Sequence, residues 1–267
     1  MKFVKNRKVI LLILGLVIAL IGSSGCLYLR SVNSVHYSDQ EFMQAVSRGL
    51  EDRWAYADHI RTSTYSKKEY RTMVEKELNR VKDFDAKPFK NDQLRIQAIA
   101  YIDAVNAMYT VVQESYDDND FDQKWLDAYN TRNEKLAAID AIEKITVDKK
   151  YTDTLETLLS SGREVMRKNE RALQLKNIIQ SFKFSISDKD PHDDKTDYTI
   201  EATNELDITI KAIAIEVVMK DGDNNIVDVQ TIKANDWKAG SDKTFEFSTS
   251  ETFTAIDYNL TYVEYND

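Results

Sequence analysis

The side chains in this chain that could do chemistry are mostly carboxylates. The densest run of them holds Asp188, Asp190, Asp193, Asp194 and Asp197, with His192 among them. Several carboxylates in one loop can hold a hard divalent cation through oxygen. Asp188, Asp190, Asp193 and Asp194 are the candidate ligands, and the lysines interleaved with them favour the plainer reading of an exposed loop between strands. A second cluster, Tyr116-Asp-Asp-Asn-Asp-Phe-Asp122, invites a calcium loop. Counted from Asp118, ligands fit at Asp118, Asp120 and Asp122. The sharp-turn position is Gln123 instead of Gly, and the bidentate position is Tyr129 instead of Glu, so the motif fails where its geometry is decided. A solvated loop ahead of a helix N-terminus, where negative charge is favoured, is the better account. Asp221-Gly222-Asp223-Asn224-Asn225 fails the same test at Ile226 and reads as a hairpin loop.

Three histidines, His36, His59 and His192, are too scattered for a His-rich metal motif, and neither a nucleophile elbow nor a glycine-rich phosphate loop is present. No cofactor is implied. A pair of Asp or Glu acting as acid and base would leave no motif, so an envelope-acting hydrolase stays open as an alternative. The helical half is rich in aromatics: Trp54, Tyr70, Tyr101, Tyr109, Tyr116, Trp125 and Tyr129. At helical spacing they read first as core, and second as the lining of a ligand groove. Asn259-Leu260-Thr261 is a formal glycosylation sequon.

These groups are carried by 267 residues, 42% of them apolar, with one cysteine and a net charge of −9. One thiol excludes a disulfide scaffold and a multi-cysteine zinc site. The acidic balance argues against a nucleic-acid partner, whose binding would rest on Lys and Arg neutralising phosphates. The acidity is uneven. Residues 182–267 hold 8 basic and 19 acidic side chains, whereas residues 26–181 are close to neutral. Two segments built to different charge rules suggest two domains.

The first residues read as an export signal. Lys2, Lys5, Arg7 and Lys8 precede an uninterrupted apolar stretch from Val9 to Ile21, and Gly22-Ser23-Ser24-Gly25 leads to Cys26. Small residues before a lone cysteine resemble the bacterial lipobox, which implies that Cys26 is diacylated and becomes the first residue after cleavage. Ser23 stands where that motif most often has Leu. The alternative is an uncleaved signal anchor running to Leu29, since Val9 to Leu29 is about long enough to span. Both readings place the rest of the chain on the extracytoplasmic face of the cell membrane.

From Ser38 to Gln180 apolar residues recur at three and four, the period of amphipathic helices. Ser38 to Glu41 and Ser66 to Glu69 read as capping boxes. Helices are expected behind each of them, after Asn91, from near Phe121, and from about Val147 to Ser181. At Phe182 the period falls to two, and six or seven short strands follow with polar turns between them. The expected fold class is α+β in two segregated domains, an antiparallel helical bundle followed by a small immunoglobulin-like β-sandwich. The segments are 1–25 signal peptide, 26–37 tether, 38–181 bundle and 182–267 sandwich.

The stretch from Tyr198 to Phe247 resembles the FxLYD-type immunoglobulin-like domain of Gram-positive surface lipoproteins. The resemblance rests on Tyr198 and Ile200, Ala202-Thr203-Asn204, the run Ile213, Ile215, Val217, then Asp221-Gly222 to Ile226-Val227, and Lys238-Ala239-Gly240 before Phe245 and Phe247. It implies a spacer or recognition unit. The expected function is a lipid-anchored, non-catalytic surface module whose partners are the membrane and an unidentified protein or envelope ligand.

Overall fold

The computed structural model of the chain describes residues 36–62, 64–188 and 194–266. The signal segment, Cys26 and the tether up to residue 35 lie outside the described residues. So do Asp190, His192 and Asp193. Among the described residues no helix is long and apolar enough to cross a membrane.

Five α-helices come first: α1 Asp39–Ala57, α2 Lys67–Val81, α3 Asp92–Ser115, α4 Phe121–Ile142 and α5 Thr152–Gln180. Six strands follow: β1 Phe184–Asp188, β2 Thr196–Thr203, β3 Ile210–Lys220, β4 Ile226–Trp237, β5 Asp242–Thr249 and β6 Ala255–Tyr265. The chain is therefore α+β, with helices and strands segregated along the sequence. It divides into two compact units at Arg163/Glu164, inside α5 and not at Ser181 where the period changes. Leu155, Leu158 and Leu159 belong to the first core, while Leu175, Ile178 and Ile179 belong to the second. A change of hydrophobic period marks where helix becomes strand; it does not mark which core the last helical turns join.

In the helical unit the apolar stripes face one interior. Phe42, Val46 and Leu50 of α1, Val74 of α2, Leu94, Ala98 and Val105 of α3 and Leu136 of α4 are all fully buried. Phe42 meets Phe84 and Phe89 edge to face, each at 5.6 Å between ring centroids. Two glycines let backbones approach. A Cβ on Gly162 would lie 2.1 Å from the Asn133 carbonyl oxygen, so α5 can touch α4 only with glycine there.

The two capping boxes diverge. Ser66 and Glu69 cap α2 reciprocally as expected, with Ser66 N donating to the Glu69 carboxylate at 2.7 Å. Ser38 makes no such cap. It is buried, its N–H donates to the Pro88 carbonyl at 2.9 Å, and Glu41 turns to His36 instead. Asp39 accepts from Lys90 N and Asn91 N and so ties the start of α1 to the turn before α3. A tertiary contact has overridden a local motif.

In the second unit two three-stranded antiparallel sheets, ordered β1-β2-β5 and β4-β3-β6, share one core. Ile200, Phe245 and Phe247 come from one sheet, and Ile213, Ile215, Val217, Ile232 and Trp237 from the other. The central strand β3 is the most continuously buried, as its sequence suggests. Asn204 is fully buried and fastens two loops. Its amide donates to the Trp237 and Ile208 carbonyls at 2.8 and 3.0 Å, and Gly240 N donates to its own carbonyl at 2.8 Å.

Candidate functional site

The helical unit has charged groups where its stripes should be apolar. Glu77 of α2 falls between Met73/Val74 and Val81, Arg53 of α1 between Leu50 and Ala57, and Arg132 of α4 between Tyr129 and Leu136. All three are buried. Arg132 grips the Glu77 carboxylate with two bonds, Nε to Oε1 at 2.7 Å and an Nη to Oε2 at 2.9 Å. Arg53 adds a bond to Oε2 at 2.9 Å, and the Tyr101 hydroxyl donates to Oε1 at 2.5 Å. Arg132 also donates to Asn133 Oδ1 at 2.9 Å. One carboxylate thus serves two guanidiniums from two other helices, and the cluster holds α1, α2, α3 and α4 at one point.

The energetics follow from that geometry. Burial alone would push the Glu77 carboxyl up, but the Arg132 and Arg53 charges and the hydrogen bonds overcome it and hold it down at about 2. Burial, with the Glu77 charge beside it, pushes the Tyr101 phenol well above the ordinary tyrosine range. The two guanidiniums against one carboxylate leave the cluster with one excess positive charge.

Above this floor runs a row of aromatic rings. Tyr70 meets Trp125 at 4.6 Å, Tyr65 at 5.4 Å and Phe121 at 5.5 Å between centroids, and Tyr116 meets Phe121 at 4.9 Å. The Arg53 guanidinium lies 6.0 Å from the Trp125 ring centre and that of Arg132 6.0 Å from Tyr129. Three adjoining hollows open along the row. The first, about 470 Å³, is walled by Tyr65, Tyr70, Tyr116 and Phe121 with Asp118 and Asp122. The second, about 220 Å³, shares Tyr65 and Tyr70 and reaches Arg53, Arg132 and Trp54. The third, about 530 Å³, shares Trp54, Tyr129 and Leu158 with the second and continues to Asp153, Thr157 and Ser161. Together they make one trough in the helical unit.

Of the aromatics singled out in the sequence, Trp54, Tyr70, Tyr116, Trp125 and Tyr129 line this trough. Tyr101 is core, committed to Glu77, and Tyr109 packs half-buried against the core. Sequence reading missed Tyr65 and the Arg53–Glu77–Arg132 cluster. The signal was available: an ionisable residue at an interior position of three separate stripes.

Two of the acidic clusters form loops closed by their own contacts. Asp118 and Asp120 pair with Lys124 at 2.9 and 3.0 Å, and Asp117 lies 3.6 Å from Lys67. The Asp221 carboxylate accepts from Asp223 N, Asn225 N and the Asn225 amide, so it closes its own hairpin. Asp188 ends β1 with its backbone opposite Asp197, and Asp194 is exposed. Among the described residues no three His, Cys, Asp or Glu gather as a metal site. His36 is bound to Glu41 and His59 to the Ala55 carbonyl, far apart in role and place. The chain matches no protein-family model and no curated protein.

Proposed function

We propose that this chain is an exported, non-catalytic binding module of the cell surface, lipid-anchored through Cys26 on the extracytoplasmic face of the membrane. The trough of the helical unit is its ligand-binding face. The acidic sandwich, read as an immunoglobulin-like domain, serves as spacer. One observation carries the reading: aromatic rings from α1, the loop before α2, α2, the residue after α3 and α4 line three adjoining hollows that share side chains. Concave, mostly apolar lining with a few placed polar groups is what small-ligand sites are made of. The rigid cluster beneath supports it, because a binding constellation needs side chains whose own positions are locked.

The anchor and the trough are tested together. Metabolic labelling with a fatty acid should mark the chain and fail to mark Cys26→Ser. Soluble envelope solutes should be screened by thermal unfolding of the full chain. A ligand of the trough raises the melting temperature of the parent and not of Tyr65→Leu or Tyr129→Leu. If no solute shifts the parent, or the shifts persist unchanged in both variants, the binding reading is wrong.

A further inference from the structure

Resting on the binding-module reading, we propose that the first hollow of the trough takes a small organic ammonium ion of the choline type. Four rings, Tyr65, Tyr70, Tyr116 and Phe121, bound the space. Aromatic faces carry negative quadrupole density and attract a cation whose charge is spread over methyl groups. The volume, about 470 Å³, lies within the range of small-molecule sites, roughly 300–1,000 Å³.

Charge complementarity selects a cation. Asp117 pairs with Lys67, while Asp118 and Asp120 share the single Lys124, so these three carboxylates and two lysines leave one negative charge. Asp122 also lines the hollow and makes no ion pair with any described residue. Its field reaches the ring beside it: burial first, then the Asp122 charge, raises the Tyr70 phenol. A net negative rim beside four rings suits a cation.

A hydrogen bond braces the wall. The Tyr116 hydroxyl donates to the Tyr65 carbonyl at 3.1 Å and pins the loop before α2 across the α3 terminus. The row of rings already accommodates cationic groups, since the Arg53 guanidinium sits beside Trp125 in the adjoining hollow.

Calorimetric titration of the full chain with choline chloride tests the assignment, with 3,3-dimethylbutan-1-ol as the uncharged isostere. Choline should bind saturably, and the isostere about tenfold or more weaker. Asp122→Asn and Tyr70→Leu should each weaken choline about tenfold. Tyr65→Leu, at a more exposed ring, keeps the test sharp if Tyr70→Leu disturbs folding. Added salt should weaken binding, because Asp122 is exposed and its field is screened. Glycerophosphocholine titrated in parallel separates the two sources of the group: its binding points to a phosphodiester-linked headgroup, and binding of choline alone points to a free solute. Equal binding of choline and the isostere, no binding of either choline compound, or full affinity in Asp122→Asn overturns the proposal. A different solute that stabilises the parent but not Tyr129→Leu would then leave the binding-module reading standing without it.

Discussion

Replacing Glu77 by Gln keeps the shape of the side chain and removes the charge that two buried guanidiniums share. Two routes give the size of the effect. The Glu77 carboxyl is held at about 2, against 4.5 in an unfolded chain. That difference corresponds to about 3 kcal/mol of stability at neutral pH. Breaking a buried ion pair by removing one partner typically costs about 3–5 kcal/mol, because the remaining charge stays buried without compensation. The lowered Glu77 and the raised Arg132 express one interaction and are not added. A loss of about 3 kcal/mol should lower the melting temperature of the helical unit by about 10 °C. Far-ultraviolet circular dichroism at the helix minimum, with urea titration alongside, reads both quantities. The pH dependence gives a second signature. A carboxyl depressed in the folded state stabilises fully above its unfolded value and loses that contribution as pH falls from about 4.5 to about 2. The parent should therefore weaken across that acid window more steeply than Glu77→Gln. A variant within 1 kcal/mol of the parent, with the same acid limb, would refute the account of the cluster. Replacing Arg53, Glu77 and Arg132 together by apolar residues of similar size should cost far less than Glu77→Gln alone, since no charge is then stranded.

The remaining predictions address packing and caps. Gly162→Ala places a methyl against the Asn133 carbonyl, and should destabilise the helical unit by about 3 kcal/mol in urea unfolding. Ser66→Ala should remove about 1 kcal/mol through loss of the α2 cap, whereas Ser38→Ala, whose side chain caps nothing, should change chemical denaturation by less than about 0.5 kcal/mol. The Tyr258 hydroxyl is buried in the sandwich without a partner, and burial raises its phenol to about 12. Tyr258→Phe should therefore leave the sandwich as stable or up to about 1 kcal/mol more so, measured by the unfolding of its β signal; a loss above 1 kcal/mol would point to a partner for that hydroxyl.

Much of this fold was legible because its patterns are local. The stripe Leu94, Ala98, Ile102, Val105, Tyr109, Val112, Tyr116 announced α3, and all of it is buried except the half-buried Tyr109 and Tyr116, the latter just past the last helical residue. The alternation Phe245, Phe247 against Glu246 announced β5. What was not legible depends on contacts between distant residues. Ser38 satisfies the letter of a capping box, yet Pro88, fifty positions on, takes its N–H. Glu77, Arg53 and Arg132 stand out at interior stripe positions, but which charge meets which is decided only when three helices bring them within hydrogen-bond distance. The trough was half legible. The aromatics were visible, but which of them face a hollow and which, like Tyr101, face a carboxylate is decided by helix rotation. Tyr65 carries no periodic signal because it lies in the loop ahead of α2.

The order β4-β3-β6 has a consequence for how the sandwich comes into being. Strand β3 is central, yet its second neighbour is the last strand in the sequence. On a chain made from its N-terminus, the helices can close on near neighbours while synthesis continues, because helical contacts are short-range and form fast. Strand β3 has its hairpin partner β4 at once, but its other edge stays open until Ala255–Tyr265 has been made. Until then the most apolar strand of the chain presents a row of unpaired backbone groups, the edge at which strands from different chains join. The part already made, residues 182–254, holds 8 basic and 16 acidic side chains, and this net charge of −8 opposes such joining of copies during that interval. The acidity of the sandwich thus acts on the unfinished chain as well as on the finished one.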